Sequence, residues 1–283
     1  MLKIDGLRKS YDGFSLEVSF DVPKGMITGL VGRNGSGKST IFKSILNLIK
    51  KEAGTIYYQG KDISQITAKE KEDFGVVLSD SIFSEHLTLN EVKRLCKDFY
   101  KNFDEDLFYK LNLQMKLPED KKIKEFSTGM KAKVKLLLAL THKAKFLLLD
   151  EPTSGLDVIA REEILDFIRD YMVEDEERSI IISSHIASDL QGLCDDIYLI
   201  EDGRLILHEE THVLLANYGI IKIREEEFEN LDKSFIKKYK KEAFGYKLLT
   251  YEKQYYIENY PKIVVEKANI DDLIAIMDKG VAL

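Results

Sequence analysis

The stretch "GRNGSGKST", Gly32–Thr40, constrains this chain more than any other feature. It is a full Gly-x-x-x-x-Gly-Lys-Ser phosphate-binding loop. The run before it, "ITGLVG" (Ile27–Gly32), has the composition of a buried strand. The residues after it put Ile41, Phe42, Ile45, Leu46 and Ile49 on one helical face. Strand, glycine-rich turn and helix, in that order, are the context the loop requires. Gly32, Gly35 and Gly37 let the backbone curl so that its N–H groups surround phosphate oxygens. Lys38 would reach the β- and γ-phosphates, and Ser39 would ligate Mg²⁺. Asn34, Ser36 and Thr40 are the remaining candidate contacts in the loop. A chance match in a chain of this length is on the order of one per cent.

The rest of the chain alternates in the way such a loop demands. Strand-like runs lie at "FGVVLS" (Phe74–Ser79), "FLLLD" (Phe146–Asp150), "SIIISSH" (Ser179–His185) and "DIYLIEDGRLIL" (Asp196–Leu207), mostly separated by helical patterns. This predicts a doubly wound, mainly parallel α/β sheet. "SLEVSFDVPKG" (Ser15–Gly25) and "GTIYYQG" (Gly54–Gly60) alternate apolar and polar residues and read as antiparallel strands at the edge of that core. Between Ser81 and His142 the pattern is helical and lysine-rich. There Thr88-x-x-Glu91 is a capping box, and Val92, Leu95, Cys96 and Phe99 recur on one helical face. After about residue 210 charge runs mix with short apolar strands. A last helix is expected from Asn269 as N-cap to Gly280 as C-cap, with Ile270, Leu273, Ile274 and Met277 on one face.

Two more segments carry chemistry. "FLLLDEP" delivers Asp150 and Glu151 at the C-terminal end of a strand, which is the ligand edge of a parallel sheet. Asp150 can hold Mg²⁺ through water, and Glu151 can polarise an attacking water. His185, in "SSHIASDL", falls at the end of another strand, where its imidazole could hydrogen-bond a γ-phosphate. The stretch "EFSTGMKAKVK" (Glu125–Lys135) sets a Ser-x-Gly turn before a helix. A hydroxyl at a helix start is first of all a cap, and it is also a good anion site.

Composition narrows the setting. The net charge of −7 argues against a nucleic-acid partner, which is bound mainly through Lys and Arg. No apolar run approaches the roughly 20 residues of a membrane span. Asp5 falls where a signal peptide needs its apolar stretch. Only Cys96 and Cys194 are present, in no metal-type spacing, which suits a reducing cytosol.

The order "GRNGSGKST", "FSTGM", "FLLLDEP", "SGLD", "SSH" resembles the nucleotide-binding subunits of ABC transporters, over roughly residues 1–210. The resemblance implies a P-loop NTPase core with a mainly parallel sheet, an antiparallel β subdomain and an inserted helical subdomain near residues 81–142. Residues 211–283 would form a small C-terminal α+β accessory domain. It implies an ATPase using ATP and Mg²⁺, with Glu151 as polarising base and Lys38 and His185 as charge-stabilising groups. It implies that Ser127 and Gly129 close over the γ-phosphate bound by a second subunit, that Asp157 is a further nucleotide-binding residue, and that Tyr11 stacks on adenine. The signature loop departs from Leu-Ser-Gly-Gly-Gln at Phe126, Thr128 and Met130. A second departure is Ser79 where the family carries a Gln that contacts Mg²⁺. A bridging water at Ser79, or the carboxylate of Asp80, is expected to replace that contact, unless the loop only docks a partner.

The middle segment and tail look like one branch of the family, the ATPases of bacterial drug and peptide exporters of the bacitracin-resistance type. That branch implies membrane permease subunits on separate chains, a homodimer or heterodimer of ATPase subunits, and a cytoplasmic location at the inner face of the membrane. The rival from another class is a soluble ABC-type ATPase acting on ribosomes or nucleic acid. Ribosome-acting members generally carry two cassettes in one chain, DNA-repair members carry a long coiled coil, and the acidic charge counts against both.

Overall fold

The computed structural model describes residues 1–79, 84–243 and 245–281. In chain order its first strands are β1 (Leu2–Tyr11), β2 (Phe14–Val22), β3 (Ile27–Val31), β4 (Ala53–Tyr58), β5 (Lys61–Asp62) and β6 (Phe74–Val77). They are followed by β7 (Phe146–Asp150), β8 (Ser179–Ser184), β9 (Asp196–Glu201) and β10 (Arg204–Glu210). The C-terminal strands are β11 (Gly219–Ile223), β12 (Ile236–Glu242), β13 (Gly245–Thr250) and β14 (Val264–Lys267).

Among the described residues these strands make three sheets. The central one has the order β10-β9-β3-β8-β7-β6. Its β6, β7, β8, β3 and β9 run parallel, and β10 is added antiparallel at one edge. Strands β3, β7 and β8 are buried along their whole length. Such burial on both faces explains why they read as continuous apolar runs instead of alternating ones. Phe146, Leu148 and Ile181 face the antiparallel sheet and the helix Lys38–Ile45. Leu147, Leu149, Ile180 and Ile182 face the opposite way, into the cluster built with the helices Thr128–Leu140 and Val158–Val173.

The structure corrects three expectations. The alternating N-terminal strands do not extend the edge of the core; they form a separate antiparallel sheet, β2-β1-β4-β5, laid over it, which is the antiparallel β subdomain that the family resemblance implies. The alternation is the reason, since each of these strands has only one apolar face and needs a second layer to bury it. The run Asp196–Leu207 is a hairpin, turned at Asp202 and Gly203, whose φ values are 44° and 75°. A Cβ on Gly203 would lie 2.1 Å from the Ser15 carbonyl oxygen, so the turn is also the place where the two sheets touch. Third, in the helix Leu89–Phe99 only Leu89, Val92, Lys93 and Cys96 are buried; Leu95 and Phe99 are 45% and 76% exposed. Lys93 takes the inward place, donating to the Tyr109 hydroxyl at 2.6 Å and lying over the Tyr109 ring.

The capping expectations agree with the structure. Thr88 and Glu91 bond reciprocally at the start of Leu89–Phe99. Asn269 accepts from Asp272 N–H at 2.7 Å at the start of Ile270–Lys279. Ile270, Leu273 and Met277 are buried there, with Ile274 packed beside them. The sheet β12-β13-β11-β14 carries its own small core around Tyr256 and Leu248. Ile220, Leu249 and the helix Ile270–Lys279 nevertheless belong to the main core. Cys96 and Cys194 are free and buried; burial pushes the Cys96 thiol up to about 11 and raises that of Cys194 well above the usual thiol range.

The burial pattern of the helical segment sets an expectation for stability. Phe108→Ala, which empties a fully buried site, should destabilise the protein by about 3–5 kcal/mol. Phe99→Ser should stay within about 0.5 kcal/mol of wild type. Urea denaturation followed by circular dichroism checks both; a large loss with Phe99→Ser would contradict the exposed placement.

Candidate nucleotide site

The loop Gly32–Gly37 leaves β3 and enters the helix Lys38–Ile45 at its C-terminal edge. Gly37 is the helix N-cap, with φ 112°, and its side-chain space is occupied by Leu16 and Phe14 at 2.9 and 3.0 Å. Only glycine satisfies both conditions. Gly32 is required for a different reason, since a Cβ there would meet the Ile200 carbonyl oxygen at 2.3 Å. No side chain caps the helix, so its first N–H groups point into the loop, where an anion is favoured. Ser36 Oγ is buried and has no hydrogen-bond partner.

Lys38 is 5% exposed and its ammonium is fully engaged. It donates to the carbonyls of Gly32 at 2.6 Å and Arg33 at 3.1 Å, and it lies 3.3 Å from Glu151 Oε1. Glu151 Oε2 in turn accepts from His185 Nδ1 at 2.5 Å and from the His185 backbone N–H at 3.3 Å. Because an ionised carboxylate only accepts, Nδ1 carries the proton and Nε2 is left facing outward for another partner. Lys38, Glu151 and His185 thus form one cluster at the mouth of the loop. They line a cleft of about 450 Å³ with Phe14, Ser39 and Ser79.

Glu151 sits in the left-handed region, with φ 52°. A non-glycine residue there costs roughly 1–2 kcal/mol. The turn aims its side chain back across the sheet edge toward the loop. Asp150, one residue earlier, is fully buried; its Oδ1 accepts from Ser183 Oγ at 2.7 Å and its Oδ2 from Ser79 Oγ at 3.2 Å. Asp80 lies outside the described residues, so Ser79 is the candidate whose contacts are seen. Lys135 anchors the same loop by donating to the Leu78 and Ser79 carbonyls at 3.1 and 3.4 Å.

The other sequence candidates lie farther out. Ser127 is exposed and caps Thr128–Leu140, accepting from Met130 N–H at 3.2 Å. Gly129 is half-buried against Ala160. Asp157 caps Val158–Val173 through Ala160 N–H at 2.9 Å. Thr128 lines a second cavity, of about 300 Å³, that shares Ser79, Glu151 and Ser154 with the first. Thr40 uses its carbonyl to accept from Ser44. Tyr11 is 48% exposed at the end of β1, with the Lys9 ammonium 5.1 Å from its ring centre. Sequence reasoning missed Phe14, the aromatic that lines the phosphate cleft, and Ser183. The two serines that follow three isoleucines in the buried strand "SIIISS" were the available signal for the second.

A divalent cation fits what is present. The nearby groups are hard oxygens: the Ser39 hydroxyl, the Asp150 carboxylate, and Glu151 Oε1, whose partner is the Lys38 ammonium at 3.3 Å. Oxygen donors of this kind suit Mg²⁺.

Comparison with known proteins points the same way. The profile of the ABC transporter family matches residues 16–154. The ABC transporter ATP-binding protein YtrB of Bacillus subtilis is 33% identical over 207 residues, 72% of this chain and 70% of that protein. The lantibiotic transport ATP-binding protein SrtF of Streptococcus pyogenes is 33% identical over 213 residues, 74% of this chain and 91% of that one. A solved ATP-binding subunit of an ABC transporter superposes with a TM-score of 0.68 at 26% identity, covering 76% of this chain and 92% of its own.

The cluster geometry makes a prediction for Glu151→Gln. Turnover should fall by at least about 100-fold, since an amide is a far poorer base. ATP affinity should hold or rise, because Lys38 loses the carboxylate that competes with phosphate. Calorimetric titration with ATP and a phosphate-release assay check this; a clear loss of ATP affinity would mean that Glu151 does not oppose binding through Lys38.

Proposed function

This chain belongs to the ABC transporter ATPase family, and on that premise we propose that it drives an exporter whose membrane-spanning subunits are separate chains. The single observation that carries the mechanism is the Lys38–Glu151–His185 cluster at the mouth of the phosphate loop, with Lys38 buried and His185 at the surface. ATP hydrolysis is the family's reaction, and the roles below are our assignment for this chain.

ATP enters with its phosphates over the helix N-terminus, and Lys38 exchanges Glu151 for the β- and γ-phosphates. Ser39 and Asp150 are the residues that would hold Mg²⁺, which supplies charge neutralisation to the phosphates when bound. Glu151, released from Lys38, orients and polarises the attacking water. His185 keeps Nδ1 on Glu151 and turns Nε2 to the γ-phosphate, a contact that needs the ring protonated at both nitrogens. Tyr11 and Phe14, at the β1–β2 turn, form the aromatic side of the site, with Tyr11 assigned to the adenine.

Dimerisation follows from what the monomer leaves open. Ser127 is an exposed cap, and the first turn of its helix holds no acidic residue. We assign Ser127 and Gly129 to the γ-phosphate of a second subunit, with Asp157 beside them. We divide the chain into an ATPase domain, residues 1–210, with a helical subdomain near 81–142, and an accessory domain, residues 211–283. The apolar side chains of Leu95 and Phe99, left exposed on the helical subdomain, support that region as the dock for the permease. No helix among the described residues is long and apolar enough to cross a membrane. The location we propose is therefore peripheral, at the inner face of the membrane. The similarity to a lantibiotic transport protein favours a peptide or drug as cargo.

Two experiments test this reading. With saturating ATP, Glu151→Gln should run as a dimer in size exclusion, and Ser127→Arg in the same background should stay monomeric while still binding ATP. An unchanged dimer would remove Ser127 from the interface. After mild detergent extraction the tagged chain should bring down a polytopic membrane protein in fixed ratio, and Phe99→Asp should weaken that recovery. Equal recovery with Phe99→Asp would place the dock elsewhere.

A further inference from the structure

We propose that Ser183 is a positioning residue for hydrolysis, whose one hydroxyl sets both the Asp150 carboxylate and the backbone turn at Glu151. The proposal rests on the reading of Asp150 as the carboxylate that holds Mg²⁺. Ser183 is fully buried near the end of β8 and is the register partner of Asp150 on β7. Its Oγ donates to Asp150 Oδ1 at 2.7 Å and accepts the Glu151 N–H at 2.9 Å. A hydroxyl has one proton, so donating to Asp150 leaves its lone pairs for Glu151, and both bonds form together in one rotamer.

Each bond has a consequence for the chemistry. The first fixes which edge of the Asp150 carboxylate is committed to protein. Ser79 Oγ holds the other oxygen from the opposite side at 3.2 Å, so the plane of the carboxylate is set by two donors. The second holds the N–H of a residue whose φ is 52°, where an L side chain is strained. The Glu151 carbonyl is tied forward to Ser154 N–H at 3.2 Å, and Ser183 supplies the partner for its N–H, so the turn that aims Glu151 at Lys38 and His185 is held on both sides. A serine is a poor choice for a buried strand unless its hydroxyl is bonded. The neighbours Ile180–Ile182 show what packing alone selects here, and both Ser183 bonds go to the two acidic residues of the site.

Mn²⁺ binding to the full-length protein loaded with a non-hydrolysable ATP analogue, read by electron paramagnetic resonance, tests this without relying on turnover. Ser183→Ala and Ser183→Cys should weaken Mn²⁺ about 10- to 100-fold, as loss of an orienting partner does. Analogue binding in EDTA should change little, and kcat should fall with KM nearly constant. Ser183→Thr, which keeps the hydroxyl, should retain most of the Mn²⁺ affinity. The thiol of Ser183→Cys nearly preserves volume but donates weakly, so it carries the test if the alanine variant does not fold. Asp150→Asn is measured in parallel. If it leaves Mn²⁺ affinity intact, the metal reading of Asp150 fails and the proposal with it. If Asp150→Asn loses Mn²⁺ while Ser183→Ala and Ser183→Cys stay within about twofold of wild type, or if Ser183→Thr is as weak as Ser183→Ala, the role assigned to Ser183 is overturned.

Discussion

Val31 pairs with Ser184, and Ser183 with Asp150, across three parallel strands buried on both faces. That register brings the phosphate loop, the two acids and His185 to one edge. Side chains in a strand alternate between faces, so a slip of one residue would send Asp150 and Ser183 to opposite sides. The register is secured by the interior itself. Phe146, Leu148 and Ile181 fill one core while Leu147, Leu149, Ile180 and Ile182 fill the other. Sliding β7 or β8 would exchange these sets between cavities of different shape, and close packing tolerates that poorly.

On that edge the site is arranged around charge compensation. A buried ammonium and a buried carboxylate are each expensive to desolvate, by several kcal/mol per ion. Lys38 meets this with two backbone carbonyls and Glu151; Glu151 meets it with Lys38 and His185. The three side chains thus compensate one another, and the proposed exchange of Glu151 for phosphate on Lys38 would leave the carboxylate on His185.

The same logic of buried polar groups extends behind the site. Thr153 Oγ1 donates to Asp189 Oδ2 at 2.8 Å, and Arg161 reaches Asp189 Oδ1 at 3.3 Å. Asp189 lies on the short helix that follows His185, so the loop carrying Asp157 and the segment carrying His185 are joined by one buried carboxylate. The helix Ile270–Lys279 packs against that short helix. Its Ile274 lines a cavity with Gly32 and His185, which brings the C-terminal part of the chain to the rear of the phosphate loop.

The sequence by itself determined the phosphate loop, the acids that end β7, the order of strands and helices, and the caps at Thr88, Ser127 and Asn269. Each of these is written locally, in a spacing or in the chemistry of one short segment. It could not decide which face of Leu89–Phe99 turns inward, because Leu95 and Phe99 are as apolar as Val92 and Cys96, and burial depends on a second helix that brings Tyr109 to Lys93. The β9–β10 hairpin, by contrast, was written locally in Asp202–Gly203, two positive-φ residues between apolar runs, and reading Asp196–Leu207 as one strand-like run passed over it. The contacts of Phe14, Lys135 and Ser183 came from tertiary structure, although the serines of "SIIISS" hinted at the last. Phe14 and Gly37 are brought together by the stacking of two sheets. Ser183 and Asp150 are 33 residues apart in sequence and meet through strand register, a relation between chains of hydrogen bonds that no local pattern of residue types contains.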